Sequence, residues 1–268
     1  MIVEMRDVRY EYPSGEEALC GISFSLETTE PVAIIGQNGA GKTTTVKHLN
    51  GLLKPTSGEI FIEGIPIQSR QTAEWAKTVG YVFQNPDNQL FLETVKKEFE
   101  FGPKQIKMSK KEMADRMDWV AELVGLSEQL SVHPFDLSAV EKKFCTIGSV
   151  LMMKPKIVIF DEPTCGQDVE GNKRLKRIIR ELEQQNILCI TISHDMKFVA
   201  ENFKRMIVLR KGSVILDGTR EEVFKETEKL SSSYVSAPPI TRLGQALGFD
   251  QLVFDADEFI KRFEVERK

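Results

Sequence analysis

An α/β domain built on a parallel sheet is the fold class this sequence predicts, and three observations predict it. Short apolar runs that read as buried strands occur at Val32-Ala33-Ile34-Ile35, at Ile157-Val158-Ile159-Phe160 and over residues 187–192. The first run stops at Gly36, where a glycine-rich loop begins. Between residues 109 and 153 the period changes to that of helices, with Met113, Met117, Val120, Leu123 and Val124 spaced near three and four apart. Strands separated by helical stretches bury their apolar faces as helices packed over a parallel sheet.

Taken in order, the elements begin with short strands of alternating character, Ile2-Val3-Glu4-Met5 and Ile22-Ser23-Phe24-Ser25-Leu26. They are joined through the turn-rich Tyr12-Pro13-Ser14-Gly15, which predicts an N-terminal antiparallel β-subdomain. Residues 44–53 read as the helix that follows the glycine loop, and residues 91–150 as a helical insertion. After Phe224 the chain turns polar (Lys225-Glu226-Thr227-Glu228-Lys229), passes Ser231-Ser232-Ser233 and reaches Pro238-Pro239, which reads as a linker. A small C-terminal unit is expected beyond it, with Asp257 capping a last helix that sets Phe259, Ile260 and Phe263 on one face. The division expected is a main domain over residues 1–224 and an extension over 225–268, a candidate dimerisation unit.

Composition excludes several roles. Lys and Arg total 36 against 40 for Asp and Glu, a net charge of -4, which argues against a general nucleic-acid binder. The apolar runs fall far short of the ~18 residues of a spanning helix. Glu4, Arg6 and Asp7 leave no room for a secretory signal, so a membrane role is expected only through a partner. Cys20, Cys145, Cys165 and Cys189 lie far apart, fit neither a zinc site nor a disulfide framework, and make a reducing cytosol the expected compartment.

The chemistry is concentrated in two places. Gly36-Gln37-Asn38-Gly39-Ala40-Gly41-Lys42-Thr43 satisfies G-x-x-x-x-G-K-[ST] between an apolar strand and a helix that opens with Thr44. Glycines let backbone N–H groups curl around phosphate oxygens, and the helix presents its positive end to them. Lys42 supplies a point charge to the β- and γ-phosphates, and the Thr43 hydroxyl is suited to Mg²⁺. Downstream, the strand Ile157-Val158-Ile159-Phe160 ends in Asp161-Glu162. Asp161 is placed to reach the metal through water, and Glu162 to polarise an attacking water.

These residues resemble the ATP-binding cassette (ABC) ATPases along nearly the whole chain. The resemblance implies ATP and Mg²⁺ as ligands. It gives Gln84 as the glutamine loop that ligates Mg²⁺, His194 as the switch histidine beside the γ-phosphate, and Tyr12 as the ring that stacks on adenine, with Tyr10 the alternative. A narrower similarity is to the energy-coupling factor ATPases, which power uptake of vitamins and of cobalt or nickel ions. It is carried by Tyr81-Val82-Phe83-Gln84-Asn85-Pro86-Asp87-Asn88-Gln89-Leu90-Phe91, by Thr94-Val95 with Phe101-Gly102-Pro103, and by Pro238-Pro239-Ile240-Thr241-Arg242-Leu243. It implies a membrane-embedded coupling subunit docked near Gln84 to Phe91, a second ATPase subunit, and a place on the cytoplasmic face of the membrane. Lys173, Arg174, Lys176, Arg177 and Arg180 read as a solvated helix face.

The sequence departs from the family where each subunit completes its partner's site with Leu-Ser-Gly-Gly-Gln. Here the stretch is Leu137-Ser138-Ala139-Val140-Glu141. Side chains replace glycines that permit close backbone approach, and Glu141 carries an anion towards a phosphate site. Ser138 and Glu141 also have the spacing of a capping box. The neighbouring loop is Cys165-Gly166-Gln167-Asp168, with Asp168 retained. An intact site on this chain's own loop beside a poor contribution to a partner's favours a heterodimer over a homodimer. Two alternatives stay open here: an ATP-dependent dimerising switch that hydrolyses little, and the ATPase of another ABC importer subfamily.

Overall fold

Two kinds of strand are written into this chain, and the structure, a computed structural model that describes residues 1–266, sorts them into two sheets. The chain runs through β1 (Val3–Glu11), β2 (Glu17–Leu26) and β3 (Val32–Ile35) into helix α1 (Lys42–Leu49). Next come β4 (Ser57–Ile62), the short β5 (Ile65–Pro66), the single turn α2 (Thr72–Trp75) and β6 (Val79–Val82). Three helices then follow one another, α3 (Val95–Gln105), α4 (Lys110–Val124) and α5 (Ala139–Leu151). Strand and helix alternate again through β7 (Ile157–Asp161), α6 (Val169–Gln184), β8 (Leu188–Ile192), α7 (Met196–Asn202), β9 (Arg205–Arg210) and β10 (Ser213–Thr219). Four helices finish the chain: α8 (Arg220–Lys225), α9 (Thr227–Ser232), α10 (Pro239–Ala246) and α11 (Ala256–Glu266).

The alternating strands make the smaller sheet. On β1, Val3, Met5 and Val8 are buried while Arg6 and Asp7 are exposed, as expected for a sheet wet on one side. Its order is β2-β1-β4-β5, antiparallel. The continuous apolar runs make the larger sheet, in the order β10-β9-β3-β8-β7-β6, with every pairing parallel except β10 on β9. Every residue of β3, β7 and β8 is buried, because both faces of the sheet are covered.

Strand alternation sends successive side chains into two different cores. Ala33, Ile35, Val158 and Phe160 join Phe99, Phe144, Leu175 and Ile178 under the helices. Ile34, Ile157 and Ile159 join Val3, Met5 and Ile60 under the small sheet. The helical insertion begins each helix with a hydroxyl cap: Thr94 accepts from Lys97 N–H, Ser109 from Glu112 N–H and Ser138 from Glu141 N–H. Gly125, at φ 68°, ends α4 in the left-handed conformation that glycine adopts without strain.

Several expectations need correction. The helix after the glycine loop stops at Leu49, since Gly51 turns the chain at φ 72° towards β4, and β1 and β2 run on to Glu11 and back from Glu17. The stretch after Phe224 is no linker. Its charged residues face water, whereas Leu230, Val235, Ala237 and Phe254 enter the same core as Val223 and Phe224. Ser233, Val235 and Ala237 point in while Tyr234 and Ser236 point out, a period of two hidden among serines. The last helix is capped by Asp255 rather than Asp257, with Asp255 Oδ1 accepting from Glu258 N–H at 2.8 Å. Phe259 and Phe263 stack at 5.9 Å, but Ile260 is exposed. Arg174 is not solvated either: its guanidinium lies 4.9 Å from the Phe144 ring and donates to Val124 O at 3.2 Å. Residues 267 and 268 of the expected extension lie outside the described residues. Among the described residues, no helix is long and apolar enough to cross a membrane.

Candidate functional site

Four neighbouring strands, in the order β3-β8-β7-β6, end along one row, and each hands a different group to it. Parallel α/β sheets bind ligands at this carboxyl edge. β3 runs into the glycine loop, β8 into Ser193 and His194, β7 into Asp161 and Glu162, and β6 into Gln84.

The loop is shaped by contacts that exclude a Cβ. Gly36 has φ +147°, and a Cβ there would lie 2.3 Å from Leu209 O of β9. At Gly41, φ is +98° and a Cβ would come 2.8 Å from Ala18 O. Asn38 and Gly39 are exposed at the rim, Gln37 is half-buried and Ala40 is buried. Lys42, itself buried, donates through Nζ to Gly36 O at 2.8 Å and to Gln37 O at 3.0 Å. Burial pulls its pKa down, and Glu162 and Asp161 push it back up.

Asp161 is held by both oxygens. Thr43 Oγ1 donates to Oδ1 at 3.3 Å, and the Tyr81 hydroxyl donates to Oδ2 at 2.7 Å. Desolvation and the adjacent carboxylate raise the Tyr81 pKa, so this phenol remains a donor. The Thr43 hydroxyl and Asp161 carboxylate are hard oxygen donors suited to Mg²⁺, which is usually held by one or two carboxylates together with substrate phosphates. That arrangement needs no larger acidic cage, and among the described residues no group of three or more His, Cys, Asp and Glu is placed to hold a metal ion.

Glu162 follows at once with φ 50°, a left-handed backbone that a non-glycine residue adopts only when its surroundings enforce it. Its N–H donates to Ile192 O at 2.9 Å. Its Oε2 accepts from His194 N–H at 3.3 Å and lies 2.8 Å from His194 Nδ1, which assigns the ring proton to Nδ1. The carboxylate is buried and the imidazole mostly exposed, with side-chain exposures of 9% and 64%.

Tyr12 and Tyr10 separate clearly. Tyr12 is half-buried beside the loop helix, sharing a 2.9 Å hydrogen bond with Thr44 Oγ1. Tyr10 turns inward, edge-on to buried His48 at 4.8 Å. The expected residues therefore gather, with one exception. The Gln84 side chain is exposed and hydrogen-bonds neither Thr43 nor Asp161; its main chain is what the site holds. Lys143 of α5 donates to Phe83 O at 3.2 Å and to Gln84 O. Neither Tyr81 nor Lys143 was read from the sequence. Tyr81 had a signal, since it shares a strand with the segment leading to Gln84, whereas Lys143 had none.

The stretch 137–141 forms the capping box its spacing predicts. Glu141 Oε2 accepts from Ser138 N–H at 2.9 Å and from the Ser138 hydroxyl at 2.7 Å, while Ser138 Oγ accepts from Glu141 N–H at 3.2 Å. The hydroxyl bond and then the main-chain bond hold Glu141 below its usual pKa, so it stays anionic. A groove of about 660 Å³ opens beside β6 and α3, lined by Leu52, Phe83, Phe91, Phe101 and Met153. Phe91 is 62% exposed there, and buried Glu98 fixes its loop by accepting from Phe91 N–H and Leu92 N–H, both at 2.6 Å.

Residues 19–165 match the profile of the ABC transporter family. Among curated relatives, the energy-coupling factor transporter ATP-binding protein EcfA of Methanothermobacter thermautotrophicus is 39% identical over 239 residues, 88% of this chain and 77% of that protein. The EcfA2 protein of Caldanaerobacter subterraneus is 39% identical over 255 residues, covering 92% of this chain and 89% of its own. Among solved structures, cbiO1 of Clostridium perfringens, part of the ABC transporter complex cbiONQ, is similar at TM-score 0.77 and 32% identity, over 92% of this chain and 98% of that one. A dimeric ATP-binding cassette in a post-hydrolysis state with ADP and Pi is similar at TM-score 0.74 and 26% identity, over 81% and 98%.

Proposed function

The chain belongs to the ABC transporter ATPases, which couple ATP hydrolysis to transport, and on that premise we propose that it energises an energy-coupling-factor-type importer from the cytoplasmic face of the membrane. The observation that carries the catalytic part is the 2.8 Å contact between Glu162 and His194 at the edge that also bears Lys42, Thr43 and Asp161. The loop of residues 36–43, with Thr44, takes the phosphates of ATP, and Tyr12 takes its adenine. Thr43, Asp161 and Gln84 are the groups that would hold Mg²⁺, which when bound neutralises charge on the phosphate oxygens. Lys42 stabilises the transferring phosphoryl group, Glu162 orients the attacking water and accepts its proton, and His194 holds Glu162 in place through its Nδ1–H.

The partner subunits follow from two surfaces. The apolar groove at Phe91 and Phe101 adjoins the loop of residues 84–91, and it suits an amphipathic helix of a membrane-embedded coupling subunit. The second surface is the start of α5, where Ser138 and Glu141 satisfy one another instead of a phosphate. Two copies of this chain would each bring the Glu141 anion to the other's nucleotide. An asymmetric dimer with a different ATPase subunit avoids this at the site on the present chain, and it is the arrangement proposed. The cbiONQ relationship of a similar protein supports a complex with membrane subunits.

The test is Mg²⁺-dependent ATP hydrolysis by the purified chain, with Glu162→Gln as background, beside native mass spectrometry with candidate ATPase partners. Nucleotide binding with turnover close to background until a partner is added is the expected result. Turnover well above background by the chain alone, with only homodimers on mixing, overturns the asymmetric dimer.

A further inference from the structure

Lys143 sits in the second turn of α5, the helix that starts at the self-capped Ser138. It is 3% exposed, and its hydrogen-bond acceptors are the carbonyls of Phe83 and Gln84; burial pulls its pKa down, and Cys165, Asp161 and Glu162 push it back up. A buried ammonium engaged by carbonyls is costly to place and takes hold of a backbone segment where an apolar side chain would only fill space. The segment it grips is already tied on its other side, through the Tyr81 hydroxyl to Asp161. One continuous set of contacts therefore runs from α5 through Lys143 and the 83–84 backbone to Tyr81 and the carboxylate of β7. Phe83 and Gln84 follow directly on β6, so their carbonyls mark the point where the strand gives way to the loop.

We infer that Lys143 is a positioning residue that clamps the main chain of Phe83 and Gln84 to α5 and thereby sets the placement of the Gln84 side chain towards Mg²⁺. The inference rests on the reading of Gln84 as a metal-binding side chain. It links the first two turns of α5 functionally: the first faces the partner's nucleotide in the proposed dimer, and the second holds the loop of the chain's own.

The experiment uses the full chain with Lys143→Met, Lys143→Arg and Gln84→Ala. A fluorescent ATP analogue is titrated in EDTA and then against Mg²⁺, and each variant is melted. Lys143→Met is expected to leave metal-free nucleotide affinity unchanged and to raise the Mg²⁺ midpoint about tenfold, the size typical of losing an outer support of a metal ligand. Lys143→Arg should restore the midpoint. Gln84→Ala should raise it as much, and the Lys143→Met, Gln84→Ala pair no further, because both act on one contact. If Lys143→Met does not fold, Lys143→Ala, which also removes the donor and adds no bulk, is read in the same way. An unchanged midpoint in Lys143→Met beside a raised one in Gln84→Ala overturns the clamp and leaves the site reading intact. An unchanged midpoint in Gln84→Ala removes the metal role of Gln84 and the clamp with it. Equal weakening with and without Mg²⁺ assigns Lys143 to fold maintenance alone and overturns the inference.

Discussion

Replacing Tyr81 with Phe removes one hydroxyl and leaves the ring, which packs 4.9 Å from Phe83, in place. The hydroxyl donates at 2.7 Å to Asp161 Oδ2, and the two residues are only 7% and 4% exposed, so water cannot take over the bond. A hydrogen bond to a charged acceptor contributes about 1.5–3 kcal/mol net, and leaving its buried acceptor unpaired costs the upper part of that range. For a chain of this size each kcal/mol moves the melting temperature by roughly 2–4 °C, so Tyr81→Phe should melt about 4–12 °C lower. Two effects then compete at the metal side. An oxygen without its donor binds a cation more strongly, but the carboxylate is no longer oriented with Oδ1 towards Thr43. Loss of such supports typically weakens metal binding about 10–100-fold, so misplacement should prevail. The assay is thermal melting without ligand, followed by Mg²⁺ titration at saturating ATP. A melting point within about 1 °C of the parent, well under the shift expected for that bond, together with an unchanged Mg²⁺ requirement would refute the argument that Tyr81 orients Asp161.

Gly36→Ala should abolish nucleotide binding and cost roughly 3 kcal/mol or more, since its Cβ would sit 2.3 Å from the Leu209 carbonyl of β9 with nothing flexible to yield; near-normal binding by equilibrium dialysis would contradict the steric argument. Glu141→Gln keeps a side chain able to complete the capping box and removes the anion, so turnover of the chain alone should rise about tenfold, the effect of removing roughly 1.4 kcal/mol of repulsion; an unchanged steady-state rate would show that Glu141 is not what limits the chain alone. Arg220→Ala should loosen the C-terminal helices by about 2 kcal/mol, because the guanidinium lies 4.1 Å from the Phe254 ring and donates to Ala200 O at 2.7 Å; limited proteolysis after residue 225 should speed up. Acid should erase the α5 cap with a defined sign: Glu141 is lowered from 4.5, so its stabilisation is full above that value and falls away as pH drops through the folded value. The melting gap between the parent and Ser138→Ala should accordingly close in acid, and a gap that widens there would contradict the sign.

Much of the site was legible because its parts are local. A phosphate loop needs its glycines, lysine and threonine within one turn, and a strand that ends in Asp161-Glu162 declares itself by a continuous apolar run. The capping box at Ser138 and Glu141 is likewise a spacing of three. What escaped were contacts between residues far apart in the chain: Tyr81 with Asp161, Lys143 with Phe83 and Gln84, and Arg174 with Phe144. Nothing near Lys143 in the sequence distinguishes it from Lys142, yet Lys142 pairs with exposed Asp87 and Lys143 is buried. The polar stretch after Phe224 misled for a related reason. Charged residues dominate its composition, while a few apolar residues, Leu230 foremost, decide its packing. The strained backbone of Glu162 had no signal in the residue type, since the fold enforces it.

The sharing of one core by Val223, Phe224, Leu230 and Phe254 bears on how the protein is made. Synthesis delivers the phosphate loop, β7 and β8 well before α10 and α11. Until Phe254 arrives, the Phe224 ring of α8, which it meets at 5.9 Å, stays uncovered, an apolar surface that invites association with other nascent chains. Commitment to a stable ATPase therefore waits on the segment that carries Leu230 and Phe254, and truncations before it, meant to isolate the catalytic part, should aggregate rather than simplify it.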